Sequence, residues 1–205
     1  MVPMTERLPA PYPVPAGPID AEIVITRSRF LAALRPVATR AAALAELERI
    51  RAAYPDATHH CFAYLVGSPQ SGQAAMSDDG EPSGTAGRPI FSVIGHKAVG
   101  DVLIVVTRYF GGVKLGAGGL VRAYSAAAEA AASRMVVVDK VLLARMTLQL
   151  PFADEQAVRH WCSLRGAAVE AVEYGQAVRM TLAVPAAALA DLREFCAGRG
   201  VLLLD

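Results

Sequence analysis

Apolar and polar residues alternate with two different periods along this chain, and the two periods together predict an α+β protein. In the first two thirds of the sequence, strands are predicted at residues 23–25, 30–34, 58–66 and 101–109, and helices at 39–54, 89–96 and about 118–135. Thr39 is a residue type that caps helix N-termini well. The run Val-Leu-Ile-Val-Val after Asp101 is unbroken by polar residues, which is typical of a central strand buried on both faces.

The pattern changes near residue 139, and a second unit of about 65 residues is predicted from there. Apolar residues alternate with polar ones from Leu142 to Leu150, as in a half-buried strand. A helix opened by Asp154 follows, with Val158, Trp161 and Leu164 on its predicted buried face. The remaining predicted elements are a hairpin over residues 167–184 around Gly175, a helix that starts at Pro185 and a last strand over residues 201–204. The resulting order βαββαβ is that of a ferredoxin-like domain.

Prolines are concentrated at the beginning of the chain, where residues 1–18 hold six of the 13 prolines. Proline fixes its own backbone angle and has no N–H group to donate to a sheet. We therefore predict a flexible proline-rich arm over residues 1–18, a first domain over residues 19–138 and a second domain over residues 139–205.

Composition excludes several classes of protein. With 54% hydrophobic and 19% charged residues among 205, the chain has ample material for a packed core. Its apolar runs are much shorter than the roughly 20 residues that a membrane-spanning helix needs, so no membrane association is expected. Three widely separated cysteines form neither a disulfide framework nor a zinc site, and no signal peptide is recognised, so we expect a cytoplasmic protein.

Overall charge does not favour nucleic acid, because 20 basic residues are balanced by 19 acidic ones. The charge is nevertheless unevenly distributed. Residues 21–140 hold 13 basic and 10 acidic residues (net +3), whereas residues 141–205 hold six and seven (net −1). Any contact with phosphate is therefore expected in the first domain.

An acidic, glycine-containing stretch at residues 77–87, here called the acidic loop, is the first candidate for chemistry. It places Asp78, Asp79 and Glu81 within four residues, and three neighbouring carboxylates repel each other unless solvent, a cation or hydrogen-bond donors neutralise them. The residues of the loop that we expect to matter are Ser77, Asp78, Asp79, Gly80, Glu81, Ser83 and Thr85. A solvated acidic turn would have the same composition.

A glycine-rich segment at residues 108–124 is the second candidate. It runs from the end of the predicted central strand into the start of a helix, where backbone N–H groups attract anions and glycines allow close approach. Its spacing is neither that of a Walker A loop nor that of a dinucleotide-binding fingerprint. The candidate ligand- or anion-binding residues are Arg108, Tyr109, Lys114, Gly116, Gly118, Gly119, Arg122 and Tyr124. Tight turn geometry alone would also explain the glycines.

Taken together, these two stretches resemble the YigZ/IMPACT family. The resemblance covers roughly residues 20–135 and includes Ser28-Arg29-Phe30, Ala57-Thr58-His59, the whole acidic loop and Thr107 to Tyr124. One departure is His60, where relatives more often have asparagine. The later part of the chain resembles the family's bacterial C-terminal domain more loosely.

The resemblance implies a left-handed βαβ fold for the first domain, like domain IV of elongation factor G, and a second domain like domain V of that factor. It also implies a connection with the regulation of translation, since the eukaryotic relative is a translational regulator. No established enzymatic activity accompanies the bacterial branch, so an enzyme is not the favoured expectation.

Three hypotheses follow for the two segments. The leading one is a protein that binds RNA or a ribonucleoprotein, with Arg108, Lys114 and Arg122 gathered on one surface. The second is an enzyme acting on a small phosphorylated ligand, in which Asp78, Asp79 and Glu81 would hold Mg²⁺, a cofactor that the leading hypothesis does not need. The third is structural, with the carboxylates of the acidic loop accepting hydrogen bonds from Arg108 and from the amides of the glycine-rich segment. All three require the segments to meet, and the sequence leaves the oligomeric state open.

Overall fold

The computed structural model describes residues 11–204, which divide into two compact units. The first domain comprises Tyr12–Lys140, and the second begins at Val141. Within the described residues, no helix combines the length and the apolar character required to span a membrane.

The first domain is built on a five-stranded sheet in which all neighbouring strands are antiparallel. Its elements are β1 (Tyr12–Pro15), β2 (Ile19–Ile25), β3 (Ser28–Pro36), α1 (Arg40–Ala53), β4 (His59–Val66), β5 (Gln73–Ser77), α2 (Gly87–Lys97), β6 (Val102–Tyr109), α3 (Gly116–Ala132) and β7 (Val137–Lys140). The strand order of the sheet is β2-β3-β6-β4-β5. The predicted central strand is confirmed, since β6 is the middle strand and is buried from Val102 to Arg108.

Helices cover both faces of this sheet. On one face α2 and α3 pack on a core that contains Phe30, Ile104 and Tyr124, and the rings of Phe30 and Tyr124 meet edge to face at 5.3 Å. On the other face α1 packs with Leu47 and Ile50 as core residues. The predicted cap of α1 is confirmed, because the Thr39 side chain accepts a hydrogen bond from the Ala42 N–H.

The sequence predicts a flexible arm over residues 1–18, but part of this proline-rich stretch is ordered. Residues 1–10 lie outside the described part of the chain, but β1 pairs antiparallel with β7, so its backbone is ordered by a strand that the sequence pattern did not predict. Prolines are tolerated here because this ribbon has only two strands, and each proline can direct its missing donor away from its partner.

A buried carboxylate fixes this ribbon to the rest of the first domain. Asp101, which is 4% exposed, accepts hydrogen bonds from the Tyr12 hydroxyl (3.0 Å), the Gly67 N–H (2.7 Å) and the Lys140 ammonium. Burial alone would raise the pKa of Asp101, but the bonds from Lys140, Gly67 and Tyr12 outweigh it and the pKa is lowered. One side chain thus joins β1, β7 and the loop after β4.

A second difference concerns residues 67–87, which the sequence predicted to be one long loop. Strand β5 interrupts it and pairs with β4 at the edge of the sheet, leaving residues 78–86 as the loop itself. Its sequence, Gln-Ala-Ala-Met-Ser, contains no β-branched residue, and pairing with β4 rather than intrinsic propensity selects the strand.

The second domain has the predicted βαββαβ order. Its elements are β8 (Leu143–Leu150), α4 (Glu155–Arg165), β9 (Ala168–Tyr174), β10 (Val178–Pro185), α5 (Leu189–Arg199) and β11 (Leu202–Leu204). The sheet order is β11-β8-β10-β9, with antiparallel neighbours, as in a split βαβ arrangement. The predicted buried face of α4 is confirmed at Val158 and Trp161 but was wrong at Leu164, which is 65% exposed.

We predict that Tyr12→Phe lowers the free energy of unfolding by about 1–2 kcal/mol, because the variant removes a hydrogen bond to a buried charged acceptor. Urea denaturation followed by far-UV circular dichroism measures the change. The control is Tyr174→Phe, whose hydroxyl bonds Glu155 at an exposed position and which should change stability much less. An unchanged midpoint in Tyr12→Phe would mean that β1 does not contribute through Asp101.

Candidate functional site

Asp78 organises the acidic loop by capping the following helix. Its Oδ1 accepts hydrogen bonds from the N–H groups of Ala86 (2.9 Å) and Gly87 (2.8 Å), and its Oδ2 accepts one from Gly84 (2.7 Å). Burial alone would raise the pKa of Asp78, but these donors favour the ionised form more strongly and hold the pKa below its ordinary value of 3.8. The N-terminus of α2 is therefore occupied by the protein's own carboxylate.

Asp79 ties the loop to two neighbouring elements. Its carboxylate accepts hydrogen bonds from the backbone N–H of His60 in β4 (2.6 Å) and from Arg51 in α1 (3.1 Å). Its carbonyl oxygen lies 2.8 Å from Nδ1 of His59. The residue has a φ of +43°, a left-handed conformation that aspartate tolerates better than most side chains.

Glu81 is the most deeply buried carboxylate of the loop and joins it to the glycine-rich segment. Its Oε1 accepts hydrogen bonds from Arg108 Nη1 (2.5 Å) and from the Tyr124 hydroxyl (2.7 Å). The side chains of Glu81 and Arg108 are almost fully buried, with 4% and 6% of their surface exposed, respectively. His59 Nε2 lies 3.9 Å from the same oxygen. The two segments therefore meet, as the hypotheses required, at the two ends of the glycine-rich segment.

Arg108 lies beside two aromatic rings. Its guanidinium carbon is 5.4 Å from the ring centroid of Phe30 and 5.5 Å from that of Phe110. Nη2 is 3.4 Å from the Ser28 hydroxyl, whereas the buried Nε has no hydrogen-bond acceptor among the described residues. Cation–π contacts partly compensate for the missing acceptor, since the ring faces carry negative charge density.

Hydroxyl, thiol and imidazole groups complete the network around Glu81. The Cys61 thiol lies 2.9 Å from the carbonyl oxygen of Asp78 and 3.3 Å from the Tyr124 hydroxyl. Burial raises the pKa of Cys61 to about 12, and burial also raises the pKa of Tyr124, so both groups keep their protons at neutral pH. A protonated thiol is a poor nucleophile, and these side chains act as hydrogen-bond partners.

His60, where this chain departs from the family pattern, lies outside that network. Its ring contacts the Thr107 hydroxyl at 3.0 Å, and burial lowers its pKa, which favours the neutral form. A neutral histidine can exchange hydrogen bonds with a hydroxyl much as an asparagine amide can.

The three carboxylates of the acidic loop do not converge on one point. Asp78 faces backbone donors, Asp79 faces Arg51 and His60, and Glu81 faces Arg108 and Tyr124. Within residues 11–204 no group of three or more histidine, cysteine, aspartate or glutamate side chains is arranged to hold a metal ion. The arrangement is that of a loop stabilised by internal donors.

The middle of the glycine-rich segment lies elsewhere. Among the described residues none of its amides donates to the carboxylates of Asp78, Asp79 or Glu81, which corrects the expectation that these amides would neutralise them. The middle of the segment instead borders a surface groove of about 460 Å³ next to the β2–β3 turn. The groove is lined by Ile25, Thr26, Lys114, Leu115, Gly119, Arg122, Ala123 and Ala126.

The first turn of α3 offers free backbone donors at this groove. The N-cap residue Leu115 makes no capping hydrogen bond, no other side chain of residues 11–204 accepts one from this turn, and Gly116 and Gly118 are exposed. A Cβ atom added to Gly118 would lie 3.7 Å from Nη1 of Arg122, so the guanidinium group is close to this turn. Neither Lys114 nor Arg122 has a carboxylate within ion-pair distance in the described part of the chain.

The remaining predicted residues mostly have structural contacts. Tyr109 donates its hydroxyl to Asp56 (2.9 Å). In the acidic loop, the Ser77 hydroxyl accepts from the Asp79 N–H, the Thr85 hydroxyl donates to the Pro82 carbonyl, and Gly80 lies next to the ring of His59. Ser83 is exposed and has no such contact among the described residues.

The sequence predicted two strands that flank residues 27–29, but it missed that the turn between β2 and β3 lies at Thr26 and Arg27 and borders the groove. Thr26 and Arg27 both have positive φ values, 48° and 66°, as the central residues of a type I′ turn do, although neither is glycine. A Cβ atom added to Gly111 would lie 2.1 Å from the carbonyl group of Arg27, so this close approach requires glycine. Gly111 was the available signal, because glycine is the residue that permits such a close backbone approach.

Comparison with known proteins agrees with this fold and these two segments. The Impact N-terminal domain model matches residues 26–132, and a domain of unknown function, DUF1949, matches residues 148–199. The chain therefore belongs to the IMPACT family, which confirms the resemblance of its motifs.

Individual relatives support the same assignment. The Escherichia coli IMPACT family member YigZ is 41% identical over 140 residues, which cover 68% of this chain and 69% of that protein. An IMPACT family member from Thermus thermophilus is 39% identical over 156 residues, which cover 76% of this chain and 83% of that protein. A crystal structure of a hypothetical protein, 35% identical, superposes with a TM-score of 0.72 and covers 96% of this chain and 98% of its own.

We predict that Glu81→Gln lowers the free energy of unfolding by about 3–5 kcal/mol, because it leaves the buried Arg108 cation without a counter-charge. Urea denaturation measures the effect. Glu48→Gln is the matched control, since its ion pair with Arg51 is exposed and should contribute less than about 1 kcal/mol. A Glu81→Gln protein as stable as the wild type would contradict the assigned role of the pair.

We predict a pH dependence of stability that comes from Asp78. Because its folded-state pKa is lower than its ordinary value of 3.8, its contribution is complete above that value and is lost as the pH falls through the folded-state pKa. The free energy of unfolding measured as the pH falls from about 5 to about 2 should therefore decline less steeply in Asp78→Asn than in the wild type, with the difference arising below about pH 4. Equal slopes would show that the carboxylate does not stabilise the loop through its charge.

Proposed function

We propose that this protein acts in connection with translation by binding RNA or a ribonucleoprotein through the groove beside the glycine-rich segment of its first domain. The link to translation comes from family membership and from the elongation-factor-like fold that the resemblance implies, and is an argument by analogy. The phosphate contact is argued from the residues of the groove itself.

The observation that carries the proposal is the set of positive groups around the uncapped first turn of α3. Lys114 and Arg122 line the groove, and Arg27 belongs to the β2–β3 turn that borders it; all three are exposed and have no ion-pair partner among residues 11–204. Arginine and lysine next to free backbone N–H groups form an environment that suits phosphate oxygens. The N-terminus of α2 already binds the Asp78 carboxylate. It therefore does not compete with the N-terminus of α3 for a phosphate group.

The net charge also favours the first domain as the part that contacts phosphate, because residues 21–140 carry a net charge of +3 and residues 141–205 one of −1. Arg108 was expected to reach the ligand, but it is buried against Glu81, and this leaves Lys114 and Arg122 as the cations for phosphate. Two or three phosphate contacts give a modest affinity that depends on salt, because each contact releases condensed counterions.

A magnesium-dependent enzyme at the same loops has weaker support. It would need Asp78, Asp79 and Glu81 to leave their present hydrogen-bond donors and turn to a common ion, and the positive groups of the groove lie beside a different part of the surface. Small phosphorylated molecules could, however, bind the groove through the same phosphate contacts as RNA. A nucleotide titration with and without Mg²⁺ distinguishes such a ligand from RNA.

We predict that the protein binds a structured RNA with micromolar affinity and that binding weakens as salt rises from about 50 to 200 mM. Lys114→Ala and Arg122→Ala should each weaken binding and reduce the slope of log K against log salt by about 1. Filter binding or fluorescence anisotropy measures both quantities. Arg193→Ala is the control, since it removes an exposed, unpaired arginine from the second domain.

Two results would contradict the phosphate contact. One is the absence of RNA binding by the wild type, and the other is an affinity that does not respond to salt. A thermal stabilisation that requires both a nucleotide and Mg²⁺, and that is lost in Asp79→Asn, would instead favour the enzyme.

A further inference from the structure

Phe110 is a large aromatic side chain held on the surface of the first domain. Its side chain is 46% exposed, and none of the other described aromatic rings packs against it. The guanidinium carbon of the buried Arg108 lies 5.5 Å from its ring centroid, and its backbone N–H donates to the Thr58 hydroxyl (3.2 Å). A buried cation and a backbone bond therefore fix the ring while a large part of it stays open to solvent.

The neighbouring Tyr109, at the end of β6, differs from Phe110 because its ring and its hydroxyl both have partners within the protein. Its hydroxyl bonds Asp56, and the guanidinium carbon of Arg29 lies 5.5 Å from its ring centroid. Arg29 is in turn paired with Glu22, so both ends of Tyr109 are occupied by the protein itself. Phe110, by contrast, keeps an aromatic surface that another planar group could cover.

The β2–β3 turn connects the segment that carries the exposed ring to the positive groove. Phe110 is followed by Gly111, whose backbone lies directly against Arg27, and Thr26 of the same turn lines the groove together with Lys114 and Arg122. The backbone that carries Phe110 thus packs against the same turn that borders the groove, whose cations Lys114 and Arg122 have no ion-pair partner among residues 11–204. This combination of a stacking surface and flanking positive charge is the one that single-stranded nucleic acids require.

We infer that the RNA bound at this surface is single-stranded, with one base stacked on Phe110 and adjacent phosphates contacted by Lys114 and Arg122. The inference rests on the proposed function and specifies its ligand. A base within a duplex is already stacked on both faces and cannot cover the ring, whereas an unpaired base can. The stacking contact tolerates any base, so little sequence preference is expected.

The test compares an unstructured oligouridine of twelve nucleotides with an RNA duplex of the same length, using fluorescence anisotropy and the full chain. Phe110→Leu keeps an apolar side chain over Arg108 but removes the aromatic face, and should weaken binding of the single strand about tenfold while leaving binding of the duplex unchanged. Phe110→Tyr keeps the ring and should bind like the wild type. The matched control is Phe152→Leu, which removes another exposed phenylalanine, in the second domain.

A second readout does not depend on the stability of the variant. A single 2-aminopurine placed in the oligouridine should change its fluorescence when the wild type binds, since that fluorescence responds to stacking, and Phe110→Leu should abolish the change. Absence of any change with the wild type would overturn the stacking contact.

The outcomes separate this inference from the proposed function. If Phe110→Leu binds the single strand as well as the wild type does, or weakens the single strand and the duplex equally, single-strand stacking is wrong. In that case the phosphate contact still stands, provided that Lys114→Ala and Arg122→Ala weaken binding. If the wild type binds neither RNA, both proposals are wrong.

Discussion

The buried ion pair between Glu81 and Arg108 is the interaction on which the first domain depends most. Burying either charge alone would cost much free energy. The acidic loop and the end of β6 can therefore adopt their observed positions only together. The Tyr124 hydroxyl bonds the same carboxylate oxygen and brings α3 into the contact. One oxygen atom thereby determines where a loop, a central strand and a helix meet.

This constraint divides the two segments by role. The acidic loop is stabilised from within, since Asp78 caps α2, Asp79 bonds β4 and α1, and Glu81 neutralises a buried arginine. Its carboxylates therefore act on the protein itself. The middle of the glycine-rich segment lacks such partners, and its positive groups remain available at the surface groove. The contacts of the acidic loop are those of the third hypothesis, apart from the glycine-rich amides, whereas the proposed binding role concerns the middle of the glycine-rich segment.

The groove is bordered by backbone held in an uncommon conformation. Thr26 and Arg27 adopt positive φ values, which are strained for a β-branched residue above all, and Gly111 allows the glycine-rich segment to lie directly against them. Strain of this kind persists where the surroundings determine the backbone, and it is frequent at binding sites. Here the close contact with Gly111 holds the turn beside the groove, and a preformed turn would reduce the ordering that the proposed ligand requires.

The sequence by itself determined the class of fold, the βαββαβ order of the second domain, the capped α1 and the buried central strand, because each depends on local periodicity or on a single capping residue. Its motifs also determined the family. Only the tertiary structure decided that β1 pairs with β7 and that β5 forms, since strand pairing between distant residues leaves no local pattern. It also decided that Arg108 is buried whereas Phe110 is exposed. The two residues are separated only by Tyr109, and their environments are set by the elements that pack around them, which no sequence period records.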